Sequence, residues 1–424
     1  MLIGLSDFLK SFKERKGAYI FFSTILSKAF SLLLSIFIVQ LLPKTEYGSL
    51  MYAYTIISFV MPFMGFGIYQ SYLKYAPLEM SFTARQNVFL RTLFGGVFAS
   101  VILMILVWIA TPLATINQPN SFWFLVGFSV LLVSSFIFES FKNLFRVIDR
   151  NKTYAVLEIM HAVLLLVLGV VLSFFIGGLG FVIAIVIAPL VISFYLLISH
   201  FRLLLGINLK MFWPSKQWWY FGIYTSFGGV VSQLIFSVDM MSIGNLMSNP
   251  EWLAQYKAMS LLPFSLFLIP NIFIKTDFVT LVKEARNRSF LIHYYRNFLV
   301  LMALITIPIV IALVFFNDTI VHLLFGPSYL SQVSLLSFFS LGVVAVFVLR
   351  VPLGNILIAI GWTKISTLIS LITLIADVIL NYYWIPIWGI WGAAYATVFL
   401  LWLSGITVFI TFLVYLKRLK RAEI

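Results

Sequence analysis

The sequence predicts an all-α polytopic membrane protein with twelve transmembrane helices, arranged as two parallel six-helix repeats around a central cavity. Three observations carry this. Twelve apolar stretches run the length of the 424-residue chain, each near or above the roughly 20 residues that cross about 30 Å of hydrocarbon. Lys and Arg fall almost entirely in every second gap between them. The chain is 62% hydrophobic and 10% charged, where a soluble domain carries about 25% charge.

In order, the spans are Ala18–Leu42, Tyr47–Gln70, Asn87–Leu113, Ser121–Phe141, Tyr154–Ile176, Leu179–Ser199, Trp218–Leu246, Trp252–Ile274, Phe298–Phe316, Ser331–Gly354, Ile365–Ile385 and Ile390–Leu416. The basic gaps are Met1–Gly17, Lys74–Arg85, Lys142–Thr153, Phe201–Gln217, Lys275–Asn297, the turn with Lys364, and the tail with Lys417, Arg418, Lys420 and Arg421. Of the gaps between them, only the first holds a basic residue, Lys44. Positive charge in short loops stays on the cytoplasmic side, so both termini are expected inside. The longest outer loop, Asn317–Leu330, is too short for a folded external domain.

The net charge of +14 would suggest nucleic acid in a soluble protein. Here the excess sits in inner loops and tail, where it sets topology and meets anionic lipid, so no nucleic-acid partner is expected. The chain has no Cys, which excludes disulfides and thiolate sites. The first apolar run is longer than a signal-peptide core and reads as the first membrane helix. Trp213, Trp218, Trp219 and Tyr220 form an aromatic anchor at headgroup level. Lys275–Asn297 mixes Phe278, Leu281, Val282, Phe290 and Leu291 with Lys283, Arg286 and Arg288, and reads as an amphipathic helix on the inner leaflet.

The chain also reads as duplicated. Lys152 and Gly180 are 28 residues apart, as are Lys364 and Gly392, and the two pairs are offset by 212 residues. Glu46-Tyr47 and Glu251-Trp252 each follow a short outer turn. Six helices is an even number, so the halves would be parallel repeats. The expected division is an N-terminal lobe at 1–205, an inter-lobe linker at 206–217 and a C-terminal lobe at 218–424.

Ionisable residues at membrane depth are costly and mark cavities or partners. Lys28 is about 15 Å from either interface at 1.5 Å per residue, beyond easy snorkelling, and is read as facing a cavity. Arg91 and Glu139 lie at matching depth as a candidate ion pair. Asp239 and Lys257 flank the seventh hairpin, either as a pair or as substrate contacts. Arg350 either snorkels or serves the cavity. Asp377, with Asn381 one turn on, has no matching cation. Glu158 and His161 form either a proton relay or an interfacial cap. Pro62, Gly65, Gly67, Pro189, Pro263, Pro270, Pro308 and Pro352 interrupt helices, through packing or for movement. No phosphate-binding loop, catalytic dyad or metal-ligand spacing is present, so neither catalytic residue, metal nor cofactor is expected.

Certain motifs have a familiar order. Leu42-Pro43-Lys44-Thr45-Glu46-Tyr47-Gly48 follows the first span, and Phe145-Arg146 with Arg150-Asn151-Lys152 follows the fourth. Asp239-x-x-x-Ile243-Gly244 and Tyr256-x-Ala258 cross the seventh hairpin; Phe325-Gly326-Pro327-x-Tyr329 precedes the tenth span. Asn381 and Ile385-Pro386-x-x-Gly389-x-x-Gly392-Ala393-Ala394 mark the last hairpin. In this order the chain resembles the Wzx-type polysaccharide-export flippases of the multidrug/oligosaccharidyl-lipid/polysaccharide (MOP) exporter superfamily. The resemblance implies an inner-membrane transporter that moves an undecaprenyl-pyrophosphate-linked oligosaccharide, such as an O-antigen unit of lipopolysaccharide, to the outer leaflet. It implies a cationic lumen, for which Lys28, Arg91, Lys257 and Arg350 are the candidates. Asp239, Asp377, Glu139 and Glu158 are the candidates for coupling or structural pairing. Membrane lipid, a polysaccharide polymerase and a chain-length regulator are the further partners implied. The rivals are a cation-coupled multidrug antiporter of the same superfamily and, behind it, a membrane-bound polysaccharide enzyme.

Overall fold

The computed structural model describes residues 17–76, 82–148, 150–199, 214–234 and 237–422. Among these the regular structure is helical, with no strand. Ten segments among the described residues are long and apolar enough to cross a membrane. One of them, Lys152–Ser199, spans two expected helices: its helix α7 (Asn151–Ser199) breaks at Ile176 and Gly177, where Gly177 takes φ 64° and ψ −145°. A Cβ on Gly180 would lie 2.1 Å from the Leu172 carbonyl oxygen, although eight residues of straight helix span about 12 Å. The chain therefore folds back on itself here. The same turn recurs 212 residues on, where Gly389 takes φ 59° and ψ −139°. There a Cβ on Gly392 would lie 2.3 Å from the Trp384 carbonyl oxygen. The duplication read from Gly180 and Gly392 is thus a repeated backbone turn.

The chain separates into two compact units, Met1–Gln233 and Leu234–Ile424. In the first, helix α1 (Gly17–Leu41) packs along α7, as does α6 (Leu131–Val147), which follows α5 (Phe122–Ser129). The second span is broken. Between α2 (Lys44–Val60) and α3 (Ile68–Tyr75), Met64 is extended and Gly65, Phe66 and Gly67 are all left-handed. Phe66 is the one described non-glycine residue with positive φ, a conformation that costs about 1–2 kcal/mol. The Gly65 N–H is held by the Ser100 hydroxyl on α4 (Phe82–Ala114) at 2.8 Å. Helix α8 (Lys216–Leu234) docks on the break: a Cβ on Gly67 would lie 2.2 Å from the Gly222 carbonyl oxygen, and the Ser71 hydroxyl donates to the Trp218 carbonyl at 2.6 Å.

The second unit runs through α9 (Val238–Leu246), α10 (Pro250–Leu266), α11 (Leu268–Lys283), α12 (Arg288–Phe315), α13 (Asn317–Phe325), α14 (Val333–Ala345), α15 (Val351–Ala359), α16 (Thr363–Trp388) and α17 (Ile390–Ala422). Leu281, Leu291, Met302, Phe347, Leu357 and Val408 lie in its core. The expected surface helix over Lys275–Asn297 is not formed. Helix α11 continues to Lys283, and α12 begins at Arg288, capped by the Asn287 side chain, which accepts from the Phe290 N–H at 3.0 Å. Leu281 and Leu291, read as a leaflet-facing surface, are buried in the core of this helical hairpin.

Candidate functional site

The second unit holds a buried polar network drawn from four helices. Asp239 sits in the first turn of α9, Tyr256 on α10, Asp377 and Asn381 one turn apart on α16, and Thr397 on α17. Asp239 Oδ2 accepts from the Tyr256 hydroxyl at 2.5 Å and from the Thr397 hydroxyl at 2.6 Å. Its Oδ1 accepts from Asn381 Nδ2 at 3.0 Å, and the same amide reaches Asp377 Oδ1 at 3.1 Å. Asp239 and Asp377 are 5% and 7% exposed and Asn381 is fully buried. Asn381 Oδ1 is buried with no partner among the described residues. Among the described residues no basic side chain bonds either carboxylate. Two buried carboxylates without a counter-charge are costly in a low-dielectric interior. Two carboxylates, an amide oxygen and two hydroxyls form an all-oxygen donor set suited to a hard cation or a proton.

The expected Asp239–Lys257 pair does not form. Tyr256, one residue earlier on the helix, takes the carboxylate instead. One helical step turns a side chain by about 100°, so adjacent residues cannot both point to one acceptor. Lys257 is half-buried without an ion-pair partner among the described residues.

In the first unit the expected Arg91–Glu139 pair is also replaced. Lys142 Nζ lies 2.5 Å from Glu139 Oε1, one turn back on α6, and 2.8 Å from Glu158 Oε2 on α7. The Lys142 side chain is 7% exposed, against 29% for Glu139 and 27% for Glu158. Lys142 was expected in an inner loop, but α6 continues to Val147 and buries it. The shorter reach wins: a partner three residues away on the same helix is already adjacent. His161, paired with Glu158 in the sequence reading, stacks on Phe138 at 4.7 Å between ring centroids.

Lys28, Arg91 and Arg350 bond no carboxylate among the described residues. Arg91 is half-buried and unpaired, and Arg350 gives one hydrogen bond, to the Ser370 hydroxyl at 2.8 Å. Lys28 is exposed on α1. Thr24, Lys28, Ser31 and Ser35 share one face of that helix, while exposed Phe22, Leu26, Leu33 and Phe37 occupy the opposite one. Lys28 thus lies on a polar stripe, away from the apolar face a lipid would wet.

A family model described as "Polysaccharide biosynthesis protein" matches residues 37–334. The chain belongs to this polysaccharide biosynthesis protein family. It is 37% identical over 107 residues to the uncharacterized membrane protein MJ1068 of Methanocaldococcus jannaschii, a match covering 24% of this chain and 21% of that protein. Its fold is that of MOP-superfamily transporters. An inward-closed structure of the lipid II flippase MurJ matches 94% of this chain and 89% of its own at 16% identity, with a TM-score of 0.75. An inward-facing multidrug resistance MATE family transporter matches 93% and 96% at 16% identity, with a TM-score of 0.69. A MOP transporter from Pyrococcus furiosus, whose binding pocket is described as having reverse polarity, matches 96% and 95% at 15% identity, with a TM-score of 0.60.

For this polysaccharide biosynthesis protein, sequence reasoning singled out Asp239, Asp377 and Asn381 but not what joins them. Tyr256 stood in a recognised motif without a role, and Thr397 was missed. A single Thr in an apolar helix carries no periodic signal; only the packing of α17 beside α9 and α16 gives it an acceptor. Lys142 was passed over as loop charge.

Proposed function

We propose that this polysaccharide biosynthesis protein is a flippase. It carries an undecaprenyl-pyrophosphate-linked oligosaccharide, the repeat unit of O-antigen or another surface polysaccharide, from the cytoplasmic to the outer leaflet of the bacterial inner membrane. The observation that carries this reading is the set of unpaired cations. Lys28, Arg91, Lys257 and Arg350 bond no carboxylate among the described residues, and cations at membrane depth call for an anion. A diphosphate supplies one; a cationic drug would be repelled. The protein acts as a carrier rather than an enzyme, by alternating access of two lobes, with both termini cytoplasmic. A polymerase and a chain-length regulator act on the delivered glycan. Asp239 and Asp377 receive the coupling cation, whose charge offsets theirs.

The test is leaflet transfer of a polyprenyl-diphosphate-linked oligosaccharide by the purified chain in vesicles. Transfer by the parent protein, abolished in Lys28→Ala and partly kept in Lys28→Arg, is the expected result. No transfer by the parent, together with cation-driven efflux of a lipophilic cation, would establish the antiporter instead. A reporter active only outside the cytoplasm, fused after Ile424, should be silent.

A further inference from the structure

Arg350 closes a π-turn, Val346–Arg350, between α14 and α15. The Val351 N–H reaches the carbonyl of Val346, five residues back. Such an insertion turns the residues at its end by about 100° relative to an unbroken helix, so it decides which face carries Arg350. Two other elements hold the turn. Pro352 has no N–H to return to the carbonyls behind it, and the Tyr295 hydroxyl from α12 donates to the Val348 carbonyl at 3.0 Å. Gly405 lets α17 approach, since a Cβ there would lie 3.0 Å from Leu349 Cβ.

The guanidinium is then held from the far side. Arg350 Nη2 donates to the Ser370 hydroxyl at 2.8 Å, and Ser370 gives its own proton to the Ser366 carbonyl at 3.1 Å. The Ser370 oxygen is therefore committed as an acceptor. One donor of the Arg350 fork is anchored, and no carboxylate bonds the others among the described residues. A planar fork with free donors matches two oxygens of a phosphate.

We propose that Tyr295 and Ser370 are positioning residues that set the free donors of Arg350 to read the second phosphate of the carried lipid. The protein then distinguishes a polyprenyl diphosphate from a polyprenyl monophosphate bearing the same sugar. This rests on the flippase reading above. Neither Tyr295 nor Ser370 touches the lipid; each acts through Arg350.

The experiment compares vesicle transfer of the two lipids, made with one oligosaccharide, by the full chain and its variants. The parent should prefer the diphosphate. Arg350→Lys keeps the charge but loses the fork, and should lower that preference about tenfold. Ser370→Ala and Tyr295→Phe each remove one neutral hydrogen bond and should lower it roughly two- to tenfold. Ser370→Thr should restore the parent value. Thermal unfolding in detergent accompanies each variant; should Tyr295→Phe fail to fold, the Ser370→Ala and Ser370→Thr pair decides. An unchanged preference in Ser370→Ala, with Arg350→Lys impaired, overturns the positioning role. An unchanged preference in Arg350→Lys, with transfer intact, overturns phosphate reading at this residue while leaving the flippase standing. Absence of any transfer by the parent overturns the flippase reading, and this inference with it.

Discussion

The two units share a backbone turn at Gly177 and Gly389, yet solve the problem of buried charge in opposite ways. In the first, Lys142 sits between Glu139 and Glu158, and its ammonium offsets charge from within the chain. In the second, Asp239 and Asp377 share one amide, and Asp239 takes two hydroxyls besides, with no cation bonded to either among the described residues. The first cluster is complete as built and open to solvent only through its two Glu side chains, 29% and 27% exposed. The second is nearly closed and lacks positive charge. A change in cation concentration should therefore be felt at α9, α16 and α17, while α6 and α7 stay indifferent to it. The same turn folds each hairpin, while the polar interiors differ.

Removing Asp239 should have the largest effect. Asp239→Ala takes the 2.5 Å acceptor from the Tyr256 hydroxyl and leaves Thr397 only the Ala393 carbonyl and Asn381 only Asp377, and a stranded buried donor costs about 1–3 kcal/mol. Loss of most folded protein in a detergent melt is expected; a stable, active variant would show that the network carries little energy. Next is Lys142→Met, which gives the first unit the composition of the second, two carboxylates without a cation. Breaking a fully buried pair costs about 3–5 kcal/mol. Because the two Glu side chains are 29% and 27% exposed, a loss at or below the lower end is expected. The variant should also become stabilised by added monovalent cation at its first unit, measured by hydrogen exchange in α6 and α7; no such gain would separate the two clusters in kind.

A smaller signal comes from exchanging charges at the hairpin. Asp239→Lys with Lys257→Asp should be no better than Asp239→Lys alone, because the two residues do not pair; recovery of protein level by the exchange would restore the pair. Least affected should be Glu139→Gln. Lys142 keeps Glu158 and half-exposed ion pairs are weak, so a loss within about 1 kcal/mol is expected in the same melt. A larger loss would place Glu139 deeper in the unit's energetics than its exposure suggests.

The helical class, the membrane and the hairpin repeat were legible in the residues, because a helix must bring about 20 apolar residues to cross hydrocarbon and satisfies its backbone locally. Gly180 and Gly392 marked their turns for the same reason: a tight reversal leaves no room for a Cβ. The candidate carboxylates were legible too, since a charge inside an apolar run stands out by itself. Pairing was not. Arg91 with Glu139 and Asp239 with Lys257 matched in depth, but depth is one coordinate of three. Rotation about each helix axis and the identity of its neighbours decide contact. Those came only with packing, which gave Glu158 to Lys142, Asp239 to Tyr256, Thr397 and Asn381, and Arg350 to Ser370 through a π-turn that no periodicity announces. Sequence alone determined that the chain is a bundle of apolar helices and that Asp239 and Asp377 interrupt apolar runs, because both are set along a single helix. Tertiary structure decided which charges meet, because hydrogen bonds between helices depend on angles and distances that a linear pattern does not contain.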